Sequence, residues 1–233
     1  MIKIGINEVM GIYSAMRGMR NPLNSWEKGD TVINAKIVFN EEGYSTFDDD
    51  TITYKIAVGE NDKILARKLI DAGPSHRKFM RQIFVSMDIM APLYWWKEFD
   101  TYKVGTTANS CSTMHTITNR EFTIDDFSHD HMSIIAEHCL KVIVSHLNSL
   151  RTLYLNTEEP VLKKEYWYSI IQLLPSSYNQ IRTVTMSYEN LRNIYEQRKN
   201  HKLDEWRVFC KKIEISLPYS NWITDKKEDE NND

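Results

Sequence analysis

Apolar and polar positions alternate from the amino terminus. Ile2, Ile4 and Ile6 fall on one face and Lys3, Gly5 and Asn7 on the other, the pattern of a half-buried strand. Asn7-Glu8 then opens a short predicted helix through Met16. Two β-rich runs, Thr31 to Phe39 and Thr51 to Val58, flank Glu41-Glu42-Gly43 and Asp48-Asp49-Asp50, and their alternation around a glycine-containing break predicts a hairpin. Ile64, Leu65, Leu69 and Ile70 have the spacing of an amphipathic helix over 60–72, which Gly73-Pro74 stops. The apolar run from Ile83 to Ile89 reads as a buried strand. Ala91-Pro92 turns it into a short aromatic helix, Leu93 to Phe99, and the Thr, Asn, Ser and Cys residues that follow, as far as His115, read as a polar loop.

The second half is mostly helical in pattern. A long helix is predicted from about His131 to Leu155, with Ile134, Ile135, Leu140, Val142, Ile143, Leu147 and Leu150 as its apolar face. A second follows from Glu158 to Leu173 and breaks at Leu174-Pro175. Arg182 to Ser187 alternates as a strand, Tyr188 to Arg198 reads as a helix, and Leu203 to Ile215 as another, amphipathic one. The run DKKEDENND, 225–233, has no apolar content and is expected to be a disordered acidic tail. Interleaved strands and helices in a chain of this length predict one α/β (α+β) domain over residues 1–224, a central mixed or antiparallel sheet flanked by helices.

Composition narrows the function. Lys+Arg 29 against Asp+Glu 32 gives a net charge of -3, so no global basic field argues for nucleic acid as the main partner, and any phosphate site must be local. Cys111, Cys139 and Cys210 are odd in number and widely spaced, which argues against a disulfide framework or structural zinc and for a reducing compartment. The amino terminus lacks the layout of a signal peptide, and no window reaches the roughly 20 apolar residues that span a bilayer. A soluble cytoplasmic protein is expected. Asp48-Asp49-Asp50 point in different directions on an extended chain and read as a solvated turn. His129, His131 and His138 lack an HExxH or CxxC partner and read as helix-surface or polar-core residues, so no metal is expected. Arg17 to Pro22 reads as a solvated turn, with a phosphate contact as the alternative. Tyr94, Trp95, Trp96 and Phe99 read as core or subunit interface, with stacking on a cofactor as the alternative.

A strand feeding a helix and then a loop of small hydrogen-bonding residues is a common way to build a site for a phosphorylated or heterocyclic ligand. In this stretch Thr101-Tyr102-Lys103, Thr106, Ala108, Cys111 and Thr113 fall without gaps on the signature RHRxxSxNxxSxR. His76 stands upstream, and LPSSYNQIRTVTMSYENLRNIYEQR, 174–198, follows downstream. In order and spacing these three blocks resemble the flavin-dependent thymidylate synthases, from residue 73 to about 215. The triplet keeps a base only at Lys103, and Thr106, Ala108 and Cys111 stand for serine, asparagine and serine. The hairpin over 30–58 has no counterpart in the family pattern and reads as an insertion.

The resemblance implies an FAD-dependent enzyme that transfers a one-carbon unit to C5 of a pyrimidine nucleotide, with methylenetetrahydrofolate and NADPH as possible co-substrates and sites between the subunits of a homotetramer. It places His76, Lys103, Thr106 and Asn193 at the flavin. Glu98, Thr101, Cys111, Ser112 and Arg198 fall at the nucleotide, with Arg198 polarising the ring. Cys111 is either a reactive thiol or a near-isosteric stand-in for serine. Arg198 also has a second reading, as a cation complementing the end of its helix. Glu98 exchanges a family glutamine for a carboxylate, which near a phosphate needs a cation, and Lys103 is nearest in sequence. Non-basic residues at Thr101 and Ile171 imply a nucleotide other than dUMP or a phosphate held elsewhere, by Arg20, Arg182 or Lys103. Two alternatives stand beside the enzyme: a catalytically diverged homologue that binds a nucleotide or a protein partner, and a structural protein of a virus or mobile element.

Overall fold

The computed structural model describes residues 2–38 and 51–226. Among them are the strands β1 (Lys3–Met10), β2 (Val32–Val38), β3 (Thr51–Ala57), β4 (Phe84–Pro92), β5 (Thr106–Ser110) and β6 (Asn179–Ser187). The helices are α1 (Ile12–Met19), α2 (Glu60–Asp71), α3 (Leu93–Phe99), α4 (Thr113–Thr116), α5 (Ile134–Asn156), α6 (Pro160–Leu173), α7 (Tyr188–Arg198), α8 (Asp204–Ser216) and α9 (Asn221–Thr224). Four strands are hydrogen-bonded in the order β1-β4-β6-β5, and β2 and β3 form a separate pair. The fold is mixed α/β, an antiparallel sheet flanked by helices. On β4 and β6, Ser86 meets Thr185 and Asp88 meets Thr183, each at 2.6 Å, so a step forward on one strand is a step back on the other.

The hairpin expected over 30–58 is present as an antiparallel pair running from Val32 opposite Ala57 to Val38 opposite Thr51. The predicted turn residues Glu41 to Gly43 and Asp48 to Asp50 lie outside the described residues, as does the tail beyond Lys226. The first helix does not begin at Asn7. β1 continues to Met10, and Gly11, at φ 82, makes the break. A Cβ at Gly11 would stand 2.0 Å from the carbonyl oxygen of Gln82, so conformation and space both demand glycine there. The polar stretch after α3 is not all loop either. Thr106–Ser110 forms β5 beside β6, and the amide of Cys111 donates to the carbonyl of Ile181 at 2.9 Å; threonine suits a strand as well as a turn.

Contact density divides the chain into two compact units. One comprises Met1–Asn7, Ser86–Thr185 and Gln197–Ile213, the other Glu8–Val85, Met186–Glu196 and Glu214–Asp233. In the first, Trp95, Trp96, Phe99, Trp206 and Phe209 form one buried aromatic cluster, with ring centroids as close as 4.6 Å for Trp95 and Trp206. A second cluster of Ile117, Phe122, Phe127, Leu140, Leu147 and Ile170 lies against α5 and α6. The Ser133 hydroxyl caps α5, and Glu159, followed by Pro160, caps α6. The apolar face read for the long helix is only partly buried. Leu140 and Leu147 are sealed, whereas Ile134 and Ile135 are 88% and 78% exposed and Val142 is also exposed, because they point away from that cluster.

The second unit buries Met16, Ala66, Ile70, Phe79, Met80, Ile83, Leu191, Ile194 and Trp222. Buried Arg192 donates to the carbonyl of Trp222 and to Asp225, both at 2.9 Å, and Arg67 reaches Asp225 at 2.7 Å. Burial raises the Asp225 pKa, but the hydrogen bonds from Arg192 and Arg67 outweigh it and hold the carboxyl below its ordinary value. A depressed folded pKa makes this contribution fully present above the unfolded carboxylate pKa, about 3.9, and lost as pH falls through the lower folded value. Asp225→Asn is therefore expected to destabilise at pH 7 by about 1–2 kcal/mol, discounted from a sealed pair for partial exposure, and to flatten the acid limb of a urea-denaturation profile. An unchanged acid limb would contradict this.

Candidate functional site

In the first unit α3 begins after Pro92, whose fixed φ ends the strand. It buries Trp95, Trp96 and Phe99 and leaves Glu98 half-buried at the edge of the aromatic cluster. The Glu98 Oε2 accepts hydrogen bonds from Arg198 Nη1 and from Trp206 Nε1, both at 2.8 Å, and lies 3.6 Å from His201 Nε2. Arg198 Nε donates to the Tyr102 hydroxyl at 2.8 Å, and its guanidinium lies 4.8 Å from the centroid of Trp206. Tyr102 in turn donates to Gln197.

This network gives Arg198 partners beyond its own helix terminus. Its guanidinium is clamped by Glu98 and Tyr102 over an indole, a contact set that a charge serving only its own helix terminus would not make. It also corrects the cation expected beside Glu98. Arg198, not Lys103, is the partner, and Lys103 is exposed. The hydroxyls of Thr101 and Thr106 close local turns, donating to the carbonyls of Glu98 at 2.7 Å and Tyr102 at 2.8 Å. Arg182 is engaged by Asp100 at 2.8 Å and Gln180 at 3.0 Å, over the face of Trp96.

Cys111 and Ser112 follow β5. Cys111 is exposed and lines a cleft of ≈ 350 Å³ with Thr113, Asn119, Arg120, Tyr178 and Gln180 among its walls. Gln180 Nε2 donates to the Cys111 carbonyl and to Thr113 Oγ1, both at 3.1 Å, and so fixes this corner. Arg120 holds Asp126, with Nη1 donating to Oδ2 at 2.9 Å. Burial would raise the Asp126 pKa, yet Arg120 and the Thr123 backbone pull it below the ordinary range. Burial and then the Asp126 charge raise the phenol of Tyr178. Sequence reasoning missed Arg120, Tyr178 and Gln180. The available signal was Arg120, a base a short way beyond Thr113, where the signature's last arginine is absent.

In the second unit, His76 sits in the turn after Gly73, whose φ of 99 favours glycine. It is exposed and lines a cleft of ≈ 570 Å³ with Met19, Leu65, Leu69, Lys78 and Phe79. Arg77 pairs with Glu189 at 3.0 Å, and Glu189 precedes Asn193 by one helical turn on the same face of α7. Arg20 is not in a solvated turn. It is 5% exposed and its Nε donates to Asp62 Oδ1 at 2.6 Å, so it is committed to a buried pair instead of a phosphate. Among the described residues no group of three or more His, Cys, Asp or Glu converges as a metal site. His129 Nδ1 lies 2.9 Å from the carbonyl of Phe127, and His131 pairs with Asp204.

No protein-family model and no curated protein matches the sequence. Solved structures do match. Thymidylate Synthase X (ThyX) from Helicobacter pylori, crystallised with FAD and dUMP, aligns with a TM-score of 0.63 at 14% identity, covering 96% of this chain and 97% of that one. A second crystal structure of the same enzyme, also complexed with FAD and dUMP, gives 0.61 at 15% identity and covers 95% and 97%. The chain has the thymidylate synthase X fold. At this identity the likeness is one of fold, and the chemistry rests on the residues themselves. Of the candidates, Glu98, Thr101, Lys103, Thr106, Cys111, Ser112 and Arg198 belong to the first unit, and His76 and Asn193 to the second. No described helix is long and apolar enough to cross a membrane.

Proposed function

We propose that the protein is a flavin-dependent enzyme acting at C5 of a pyrimidine nucleotide, dUMP or a close relative, to which it transfers a one-carbon unit. The observation that carries this reading is Arg198, the residue the family resemblance casts as ring activator. It is held in place by Glu98 and Tyr102 over Trp206, in a chain whose fold matches end to end that of an enzyme crystallised with FAD and dUMP. A fixed guanidinium stabilises negative charge that develops on a ring carbonyl as C5 becomes nucleophilic, and it needs no reorganisation to do so. Cys111 and Ser112, at the end of β5, would line the nucleotide, with Glu98 and Thr101. Lys103 and Thr106 would reach its phosphate or the flavin.

The cleft at His76 has a donor set that suits a flavin. Leu65, Leu69, Phe79 and Met19 supply apolar walls, His76 and Gln82 polar edges, and Lys78 a cation for phosphate. His76 and Asn193 would hold FAD, which when bound supplies hydride. On this reading methylenetetrahydrofolate and NADPH are the carbon donor and reductant. The exposed apolar residues of the α5–α6 hairpin, Ile134, Ile135 and Val161 among them, suit a homotetramer with sites shared between copies. Exposed Cys111 and Cys139 suit a reducing, cytoplasmic setting.

Titration of the purified protein with FAD tests this directly. A perturbed flavin absorbance spectrum with a raised melting temperature is expected, followed by nucleotide-dependent oxidation of the reduced flavin. Absence of both would favour a second reading, a diverged nucleotide- or protein-binding homologue. The Glu98–Arg198 pair favours that reading, because the carboxylate already neutralises the one guanidinium the reaction needs.

A further inference from the structure

The cleft of ≈ 350 Å³ at the end of β5 lies wholly within the first unit, and its wall carries a hydrogen-bond donor that the protein does not use. The half-buried ring of Tyr178 packs edge-on against Phe122 and Phe127, with centroids 6.5 and 5.6 Å away, which fixes its orientation. Its hydroxyl makes no hydrogen bond to any described residue and is not sealed from the cleft. Asp126, Arg120 and Cys111 all act on the phenol electrostatically, which sets its oxygen among the other residues of the wall. Burial keeps it protonated, so at neutral pH it is a donor.

Charge limits what this donor can meet. Glu121, Asp125 and Asp126 stand on the walls against one base, Arg120, which is already paired with Asp126. Neither Glu121 nor Asp125 has an ion-pair partner among the described residues. Arg151 is spent on the carbonyls of Thr118 and Asn119, and Arg182 on Asp100 and Gln180. A phosphate entering here would meet three carboxylates against one guanidinium and be repelled. Met90, Ile117, Phe122 and Ile181 supply apolar wall, and the volume falls within the range of about 300–1,000 Å³ for small-molecule pockets. On the reading of the protein as a pyrimidine-nucleotide enzyme, we propose that this cleft takes the uncharged nucleoside part of the substrate and leaves the phosphate outside, with the Tyr178 hydroxyl donating to a ring carbonyl or sugar oxygen. Tyr178 is then a specificity residue, and affinity at this cleft comes from the nucleoside.

Two exposed thiols give the test its own control, since Cys111 lines the cleft and Cys139 lies on α5 outside it. The full-length protein is alkylated with iodoacetamide in the presence of 2′-deoxyuridine, dUMP or inorganic phosphate at constant ionic strength, with and without FAD. Peptide mass spectrometry follows each cysteine. Deoxyuridine and dUMP should slow alkylation of Cys111 saturably, with similar half-maximal concentrations, while Cys139 is unaffected and phosphate protects neither. Tyr178→Phe keeps the ring and removes only the donor, so it should raise both half-maximal concentrations by the same factor of about three to ten, the scale of one neutral hydrogen bond. The comparison of deoxyuridine with dUMP needs no variant and decides the matter if Tyr178→Phe does not fold. No protection of Cys111 would overturn the proposal. So would protection by dUMP that deoxyuridine does not reproduce, protection by phosphate, equal protection of Cys139, or unchanged half-maximal concentrations in folded Tyr178→Phe. Protection by deoxyuridine without any flavin response would remove the flavin chemistry and leave the nucleoside cleft standing.

Discussion

Asp62→Ala is expected to destabilise the unit that carries His76 by about 3–5 kcal/mol, the range for breaking a buried ion pair by removal of one partner. Asp62 is 1% exposed and accepts from Arg20 Nε at 2.6 Å, from the amide and hydroxyl of Thr31 at 3.0 and 2.5 Å, and from the amide of Asp30 at 3.3 Å. Alanine leaves the Arg20 guanidinium buried without its counter-charge and three other donors unsatisfied, which is why the loss exceeds that of a surface pair. For a chain of this size the change amounts to a fall in melting temperature of roughly 6–20 °C. The double substitution Arg20→Met with Asp62→Leu removes both charges and should recover much of the loss. Chemical denaturation of the three variants decides the matter. A loss below about 1 kcal/mol for Asp62→Ala would mean that Arg20 is solvated after all.

Arg198→Lys should reduce nucleotide-dependent oxidation of the reduced flavin by about 10²-fold, the scale of losing one preorganised donor to a developing charge. Lysine keeps the charge but cannot donate to Tyr102 and Glu98 from a fixed plane while stacking on Trp206. Glu98→Gln acts in the opposite sense. The amide oxygen can still accept from Trp206 Nε1, but Arg198 is no longer neutralised, so an anionic nucleotide should bind about tenfold tighter. Stopped-flow flavin absorbance measures the first and isothermal titration the second. Unchanged behaviour in both variants would remove Arg198 from the site and leave the non-catalytic homologue as the better account.

The elements that sequence reading placed well are those whose signal is local. The helix of residues 60–71 carries its apolar spacing, acidic first turn and Gly-Pro stop within one stretch, and α3 is announced by Ala91-Pro92 and four aromatic residues. The β2–β3 pair follows from alternation alone. The boundary at Gly11 was misread because Asn7-Glu8 resembles a helix start, whereas the break depends on the close approach of Gln82. Thr106–Ser110 was misread because its strand state comes from the neighbour β6, and a polar edge strand has no alternation to show.

Periodicity and punctuation in the chain determined the architecture, and the three blocks that carry the family resemblance pointed to the residues worth following, because those properties are carried by neighbours along the backbone. Which charges neutralise one another was decided only by tertiary structure. Arg20 with Asp62, Arg198 with Glu98, and Glu205 with the Tyr94 hydroxyl are products of packing between residues far apart in sequence. A side chain's partner is set by the few ångströms around its tip, and no pattern of spacing in the chain encodes that distance.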